Sequence, residues 1–177
     1  MSTQHSAQRN TEPGDVVVRR ATPDDRPTVE RLWLLFRHDL SEFAAGGQLP
    51  NPDGTFRSER LEAAFAGGAD WVPYLFTSGG RPVGFAFVRG VTGAGRVLNS
   101  FFVVRGARRA GIGLRAVRDV VARHPGPWEI AFQDANEGAV RFWRRVADEV
   151  AGGGGWVEER RPVPGRPDLP PDVWISF

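Results

Sequence analysis

Residues 101–113 read FFVVRGARRAGIG. The first half is a short apolar run of β type. The second half is Arg108-Arg109-Ala110-Gly111-Ile112-Gly113, and a helix-like pattern follows over 114–124. A strand that feeds a glycine-rich turn at the start of a helix makes an anion site. The first N–H groups of a helix lack intrahelical acceptors, and the helix dipole adds partial positive charge there. Glycine lets the backbone approach a phosphate closely. Arg105, Arg108 and Arg109 add full charges with forked donors. The expected ligand therefore carries phosphates.

The six-residue pattern by itself is unspecific. It occurs again as Arg81-Pro82-Val83-Gly84-Phe85-Ala86, inside a run that reads as one continuous strand with no helix after it. Context separates the two copies. Better-known phosphate loops are absent: the chain has no lysine, hence no Gly-x-x-x-x-Gly-Lys-Ser/Thr, and no Gly-x-Gly-x-x-Gly.

At 177 residues the chain suits one domain with a substantial core, expected over 15–177. Residues 1–14 are polar and read as a disordered tail without the apolar segment of a secretory signal. A net charge of +2 does not argue for nucleic-acid binding. The absence of cysteine excludes disulfides, a thiolate nucleophile and cysteine zinc sites. His5, His38 and His124 are scattered without metal-ligand spacing, so no metal is expected. No apolar run approaches the ~18 residues of a membrane span, and the expected location is the cytoplasm.

Along the chain, 16–19 is a strand candidate, and Thr22 then caps a helix with Pro23 at its first position. Val29, Leu32, Trp33, Phe36 and Leu40 recur at helical spacing, and Gly46 and Gly47 stop the pattern. A second helix is expected over 58–65. Strands follow at 72–77, 82–91 and 96–104, separated by glycine turns. After the glycine loop and its helix come a strand at 128–132, a helix from Asn136 to about 150, and strands at 156–161 and 173–177. The order β-α-α-β-β-β-α-β-α-β-β predicts an α/β fold: a mixed, mostly antiparallel sheet with helices on both faces.

That order and these residues resemble the GCN5-related N-acetyltransferase (GNAT) superfamily. There a central strand with a valine-containing segment, here Phe102-Val103-Val104, leads into Gln/Arg-x-x-Gly-x-Gly/Ala, here residues 108–113. The family's later Asn-x-x-Ala-x-x-Phe-Tyr is matched by Asn136-Glu137-Gly138-Ala139-Val140-Arg141-Phe142-Trp143. Arg37-His38-Asp39-Leu40-Ser41-Glu42-Phe43 also looks like a signature of one bacterial branch. The resemblance implies acetyl transfer from acetyl-CoA to the primary amine of a small molecule. A protein or peptide acceptor, or a non-catalytic acyl-CoA-binding module, are the alternatives. It also implies that the sheet splays beyond the fourth strand and takes the pantetheine in the split, and it leaves homodimerisation open. The cofactor-binding residues would be Phe102, Val103, Val104, Arg108, Arg109, Ala110, Gly111, Ile112, Gly113 and Asn136. Asn136 is equally explained as a helix N-cap, and Phe142 and Trp143 as packing.

Catalysis departs from the family's common pattern. Where relatives carry a tyrosine that protonates the leaving thiolate, this chain has Trp143, whose indole is a donor but no practical acid. The sole tyrosine, Tyr74, falls on an early strand. For the base, the resemblance points to the end of the first helix. His38 and Glu42, at i and i+4, are expected to share a face there, with Glu42 the leading candidate. A solvated helix end explains them too. Ser100, beside Asn99 on the central strand, could order a water.

Overall fold

In the computed structural model, which describes residues 16–44 and 48–177, seven strands form one sheet in the order β1-β2-β3-β4-β5-β7-β6. The strands are β1 (Val16–Arg20), β2 (Trp71–Ser78), β3 (Arg81–Arg89), β4 (Arg96–Val103), β5 (Trp128–Phe132), β6 (Val157–Arg161) and β7 (Asp172–Ser176). Every neighbouring pair is antiparallel except β4 and β5. The helices are α1 (Arg26–Ser41), α2 (Glu59–Phe65), α3 (Ile112–Ala122) and α4 (Glu137–Ala151). The element order is the one expected from the sequence. The positions proposed to stop α1, Gly46 and Gly47, and the tail 1–14 lie outside the described residues.

The two faces of the sheet bury different side chains. Against α1 and α2 the core is aromatic: Trp33 and Phe36 pack on Phe85, Phe87 and Phe102 with ring centroids 5.6–6.0 Å apart. Against α3 and α4 it is mostly aliphatic, with Val117, Val120, Val146, Val173 and Ile175 fully buried. Each such buried side chain contributes about 1.5–3 kcal/mol. The α1 face follows from its i, i+3, i+4, i+7 spacing of Val29, Leu32, Trp33 and Phe36.

Several boundaries differ from the sequence reading. Thr22 opens a 3₁₀ turn, Pro23–Asp25, before α1 begins. Its N–H and Oγ1 both donate to Asp25 Oδ2, at 2.8 and 3.0 Å. β3 stops at Arg89 because Gly90 turns the chain at φ +78°. α3 starts two residues early, at Ile112, whose side chain is buried and anchors the first turn in the core.

Two irregularities open a cleft beside β4. β4 pairs with β5 only through Arg96, Val97 and Leu98, after which the strands part. At the same place the β3–β4 register shifts, so that Phe87 pairs with Ser100 while Val88 pairs with Leu98. Asn99 is the extra residue of a β-bulge, a device that bends a strand and redirects its side chains.

Candidate functional site

Beyond Leu98 the outer edge of β4 has no strand beside it. Val104 donates its N–H to Val83 of the β3 side at 2.9 Å. Strand alternation therefore turns the polar groups of Phe101 and Val103 toward the open edge. A cleft of about 860 Å³ lies along this edge, bounded by α1, α4 and the loop between β4 and α3. A cleft that size falls within the range of ligand pockets.

The loop closes one end. Arg109 and Gly111 both take left-handed backbone conformations, φ +68° and +76°. A non-glycine residue there is strained, and such outliers mark functional turns. Gly111 caps α3, and a Cβ built on it would meet no atom within 4 Å. Space for an anion is thus open directly over the helix N-terminus, where Ile112 and Gly113 present N–H groups without intrahelical acceptors. Gly113 has a second reason to be glycine. A Cβ there would stand 3.2 Å from the Phe142 ring, so the residue also lets α3 pack on α4.

Of the proposed cofactor residues, Phe102, Val103, Arg108, Arg109, Gly111, Gly113 and Asn136 line the cleft. Val104, Ala110 and Ile112 do not; Val104 is tied to β3 and Ile112 points into the core. The Arg108 side chain is already engaged. Its Nε donates to the Val103 carbonyl at 2.7 Å, its Nη2 to Asp39 Oδ2 at 2.5 Å, and its guanidinium lies over the Phe102 ring. Asp39 also accepts from Arg105 Nε at 3.1 Å. One carboxylate of α1 therefore fixes two arginines of the loop. The sequence offered no signal for this organising role beyond charge, because the partners are 66 and 69 residues apart. Asn136 caps α4 by accepting from the Ala139 N–H at 3.0 Å, which leaves its amide NH₂ to serve the cleft.

The proposed catalytic residues are not brought together. Glu42 lines the cleft and lies 3.7 Å from Arg105. His38 is largely exposed, with Asp39 as its nearest carboxylate at 4.0 Å. The backbone stays helical through Glu42, the C-cap of α1, yet His38 and Glu42 form no ion pair among the described residues: the His38 side chain faces solvent and the Glu42 carboxylate lies by Arg105. Ser100 is 3% exposed and sits at the bulge, its Oγ 3.4 Å from Asn99 Oδ1. Directly opposite residues share a face, so pairing with Phe87 places Ser100 on the α1–α2 side.

Phe142 is stacked on Phe101 at 5.7 Å and walls the cleft, more than a core residue. Trp143 is buried, with its ring edge-on to Phe101. Tyr74 lies away from the cleft lining. Its hydroxyl is 2.6 Å from His124 Nε2, and burial pushes its pKa up. Among the described residues no cluster of histidine, aspartate and glutamate has the arrangement of a metal site, and no helix is long and apolar enough to cross a membrane.

No family model matches this sequence, and no curated protein resembles it in sequence. The fold is shared with many solved structures. A GNAT-family acetyltransferase from Staphylococcus aureus is 14% identical, with 92% of this chain and 98% of that one covered at a TM-score of 0.63. The ribosomal-protein-S18-alanine N-acetyltransferase of Escherichia coli is 15% identical over 92% and 93% of the two chains, TM-score 0.60. An aminoglycoside acetyltransferase in complex with coenzyme A and kanamycin is 16% identical over 92% and 94%, TM-score 0.62. The chain has the GNAT acetyltransferase fold.

Proposed function

We propose that this protein is an acetyl-CoA-dependent N-acetyltransferase acting on the primary amine of a small molecule. The observation that carries the reading is the continuity of one surface. The unpaired edge of β4 runs from the split at Asn99 to a left-handed glycine turn at the head of α3. That surface fits a ligand with a phosphate end and an amide-bearing arm. The fold's solved relatives include one holding coenzyme A with an aminoglycoside, which supports the same reading.

Acetyl-CoA supplies the acyl group as a thioester. In the proposed arrangement, the N–H groups at the head of α3 hold the pyrophosphate, and Arg109 adds charge. The N–H of Val103 and the main chain of Phe101 pair with the arm, as an added strand would. Phe101, Phe142 and Trp143 exclude water from the acyl end. The amine nitrogen bonds to the acyl carbon, the carbon–sulfur bond breaks, and the sulfur departs as thiolate. Trp143 supplies no proton, and none is needed for the bond to break: a thiol with pKa ~8.5 is a tolerable leaving group, and the second proton, shed by the acylated nitrogen, reaches the thiolate through water. Glu42, the proposed carboxylate that lines the cleft, takes the ammonium proton through water; His38 stays at the solvated helix end, and Ser100 orders water at the split.

The test is CoA release from acetyl-CoA with and without a panel of amines, together with calorimetric titration of CoA. Amine-dependent release is expected. Tight CoA binding with no release for any amine or N-terminal peptide would replace the enzyme with an acyl-CoA-binding module. Release with peptides alone would move the acceptor class to proteins.

A further inference from the structure

The α1–α2 side of the β4 bulge carries an arginine cluster that the reading above does not use. Arg60 of α2 donates Nη1 to the carbonyl of Asn99, the bulge residue itself, at 3.3 Å. Arg37 of α1 is 3% exposed; it lies over the Trp33 ring and donates to Gln48, and its Nε has no partner. Arg57 opens the approach to α2, where its carbonyl accepts from Trp33 Nε1 at 3.0 Å. Arg89 ends β3, beside Val97 of β4, with a buried Nε that also lacks a partner. Among the described residues none of these four is ion-paired, whereas Arg105 and Arg108 at the other end of β4 are.

The four cations also feel one another. Desolvation, followed by repulsion from Arg57 and Arg60, pulls the Arg37 guanidinium down to about 10. Crowding by protein, followed by repulsion from Arg57, lowers that of Arg60; Arg89 adds to this, and Asp172 and Glu59 oppose it. Glu59 and Asp172 are the carboxylates that reach Arg37 and Arg60, Asp70 reaches Arg89 from the edge of the cluster, and burial raises the pKa of Asp172. Gathering like charges around a strand carbonyl is unfavourable unless an anion joins them. Arg60 and Arg89 stand at the start of the split, the end of β4 toward which an arm running from the phosphate loop would extend.

We propose that the acceptor is a small amine that itself carries a carboxylate or phosphate, held by Arg60, Arg57 and Arg89 over the Asn99–Ser100 bulge with Arg37 as buried support. This rests on the acetyltransferase reading and names its acceptor class. Forked guanidinium donors match the paired oxygens of both anions. The same field repels polycations, which sets this site against aminoglycosides and polyamines.

The test compares kcat/KM for glutamate, glucosamine 6-phosphate, benzylamine, spermidine and kanamycin. The two anionic amines are expected to lead, and which of them leads separates carboxylate from phosphate. Arg60→Gln, a change at a solvent-accessible side chain, is expected to raise KM for the better anionic amine at least ~10-fold, leaving kcat within ~3-fold and the KM of acetyl-CoA unchanged; Arg60→Lys is expected to recover part of the loss. Preference for spermidine or kanamycin, or an Arg60→Gln enzyme with wild-type KM for the anionic amines, overturns the proposal. A readout without turnover keeps it separate from the activity itself. With CoA saturating the loop, calorimetry with glutarate and with inorganic phosphate is expected to show saturable binding lost in Arg60→Gln and kept in Gly111→Asp. Loss in Gly111→Asp alone would assign the anion to the loop and sink the cluster's role.

Discussion

Gly84 and Gly111 hold the same place in two copies of one six-residue pattern, and the chain uses them for unlike purposes. In the strand copy, a Cβ on Gly84 would stand 2.2 Å from the Phe102 carbonyl oxygen and 2.9 Å from the Phe76 ring. That glycine exists so that two strands and a ring can close up. In the loop copy, a Cβ on Gly111 would meet nothing within 4 Å, and the residue is glycine for its φ of +76°. The arginines differ too: Arg81 ends up exposed at a strand start, whereas Arg108 is held by Asp39 and the Val103 carbonyl. A crowded glycine is a packing residue, and an uncrowded left-handed glycine at a helix head leaves room for a ligand.

The largest expected effect breaks the strand copy. Gly84→Ala forces a methyl group against a backbone oxygen, which no rotamer change relieves. Overpacking costs typically 1–3 kcal/mol, and with backbone as the obstacle about 3 kcal/mol or more is expected, or failure to fold. Chemical denaturation measures it. A loss under ~1 kcal/mol would mean that the strands can shift and that the glycine is there for another reason.

Next in size is Glu42, the carboxylate on the cleft wall near the loop copy. An amine of pKa ~9–10 is mostly protonated at pH 7, and general-base assistance contributes 10²–10⁴-fold. Glu42→Gln is expected to lower turnover about 10²-fold, with recovery as pH rises and free amine accumulates. Turnover against pH with a confirmed acceptor is the measurement. Parallel curves within ~3-fold would remove Glu42 and leave water at Ser100 as the proton acceptor.

The loop copy itself is broken more mildly. Gly111→Asp places a side chain and a negative charge in the open space over α3, and CoA affinity is expected to fall at least ~10-fold, about 1.4 kcal/mol. Aspartate tolerates the left-handed region better than most residues, so stability should change far less than in Gly84→Ala. Unchanged affinity in a folded Gly111→Asp protein would remove the loop as the phosphate site.

The difference between the two copies was legible in the sequence because it is local. The strand copy lies in an unbroken β-type run, and the loop copy has a helix after it. For the same reason the element order and the aromatic face of α1 could be read directly. Tertiary neighbours could not. Asp39 meets Arg105 and Arg108 across more than sixty residues, and Phe142 supplies the second reason for Gly113. The bulge at Asn99 leaves no mark in composition. The arginines at 37, 57, 60 and 89 are scattered in the chain and converge only when α1 and α2 dock on the sheet. The expected His38–Glu42 pair shows the opposite failure. Its spacing was right, but the side chains part: His38 turns to solvent and Glu42 lies by Arg105, a partner 63 residues away that the sequence does not announce.

The smallest effect contrasts the two ends of α3, whose head is the loop copy and beyond whose tail lies His124. Desolvation, and then repulsion from Arg96, Arg20 and Arg123, lowers the His124 pKa, so the ring is neutral where it meets the Tyr74 hydroxyl. The sign follows from proton counting. With a folded pKa below the unfolded ~6.5, the unfolded chain binds the extra proton first, so stability present above that value is lost as pH falls through it. Tyr74 acts at the other extreme: its raised pKa makes stability fall as pH climbs past ~10, where the unfolded phenol ionises first. Melting temperature is therefore expected to drop between pH 7 and 5, by ~2–4 °C for each kcal/mol lost. His124→Gln should be about 1 kcal/mol less stable at pH 7, for the altered hydrogen bond, yet nearly flat across that window. Its CoA affinity should match wild type, because His124 is absent from the cleft lining. A His124→Gln protein that keeps the full acid slope would assign the slope to carboxylates instead, and one that loses CoA binding would join the two ends of α3 into a single functional unit.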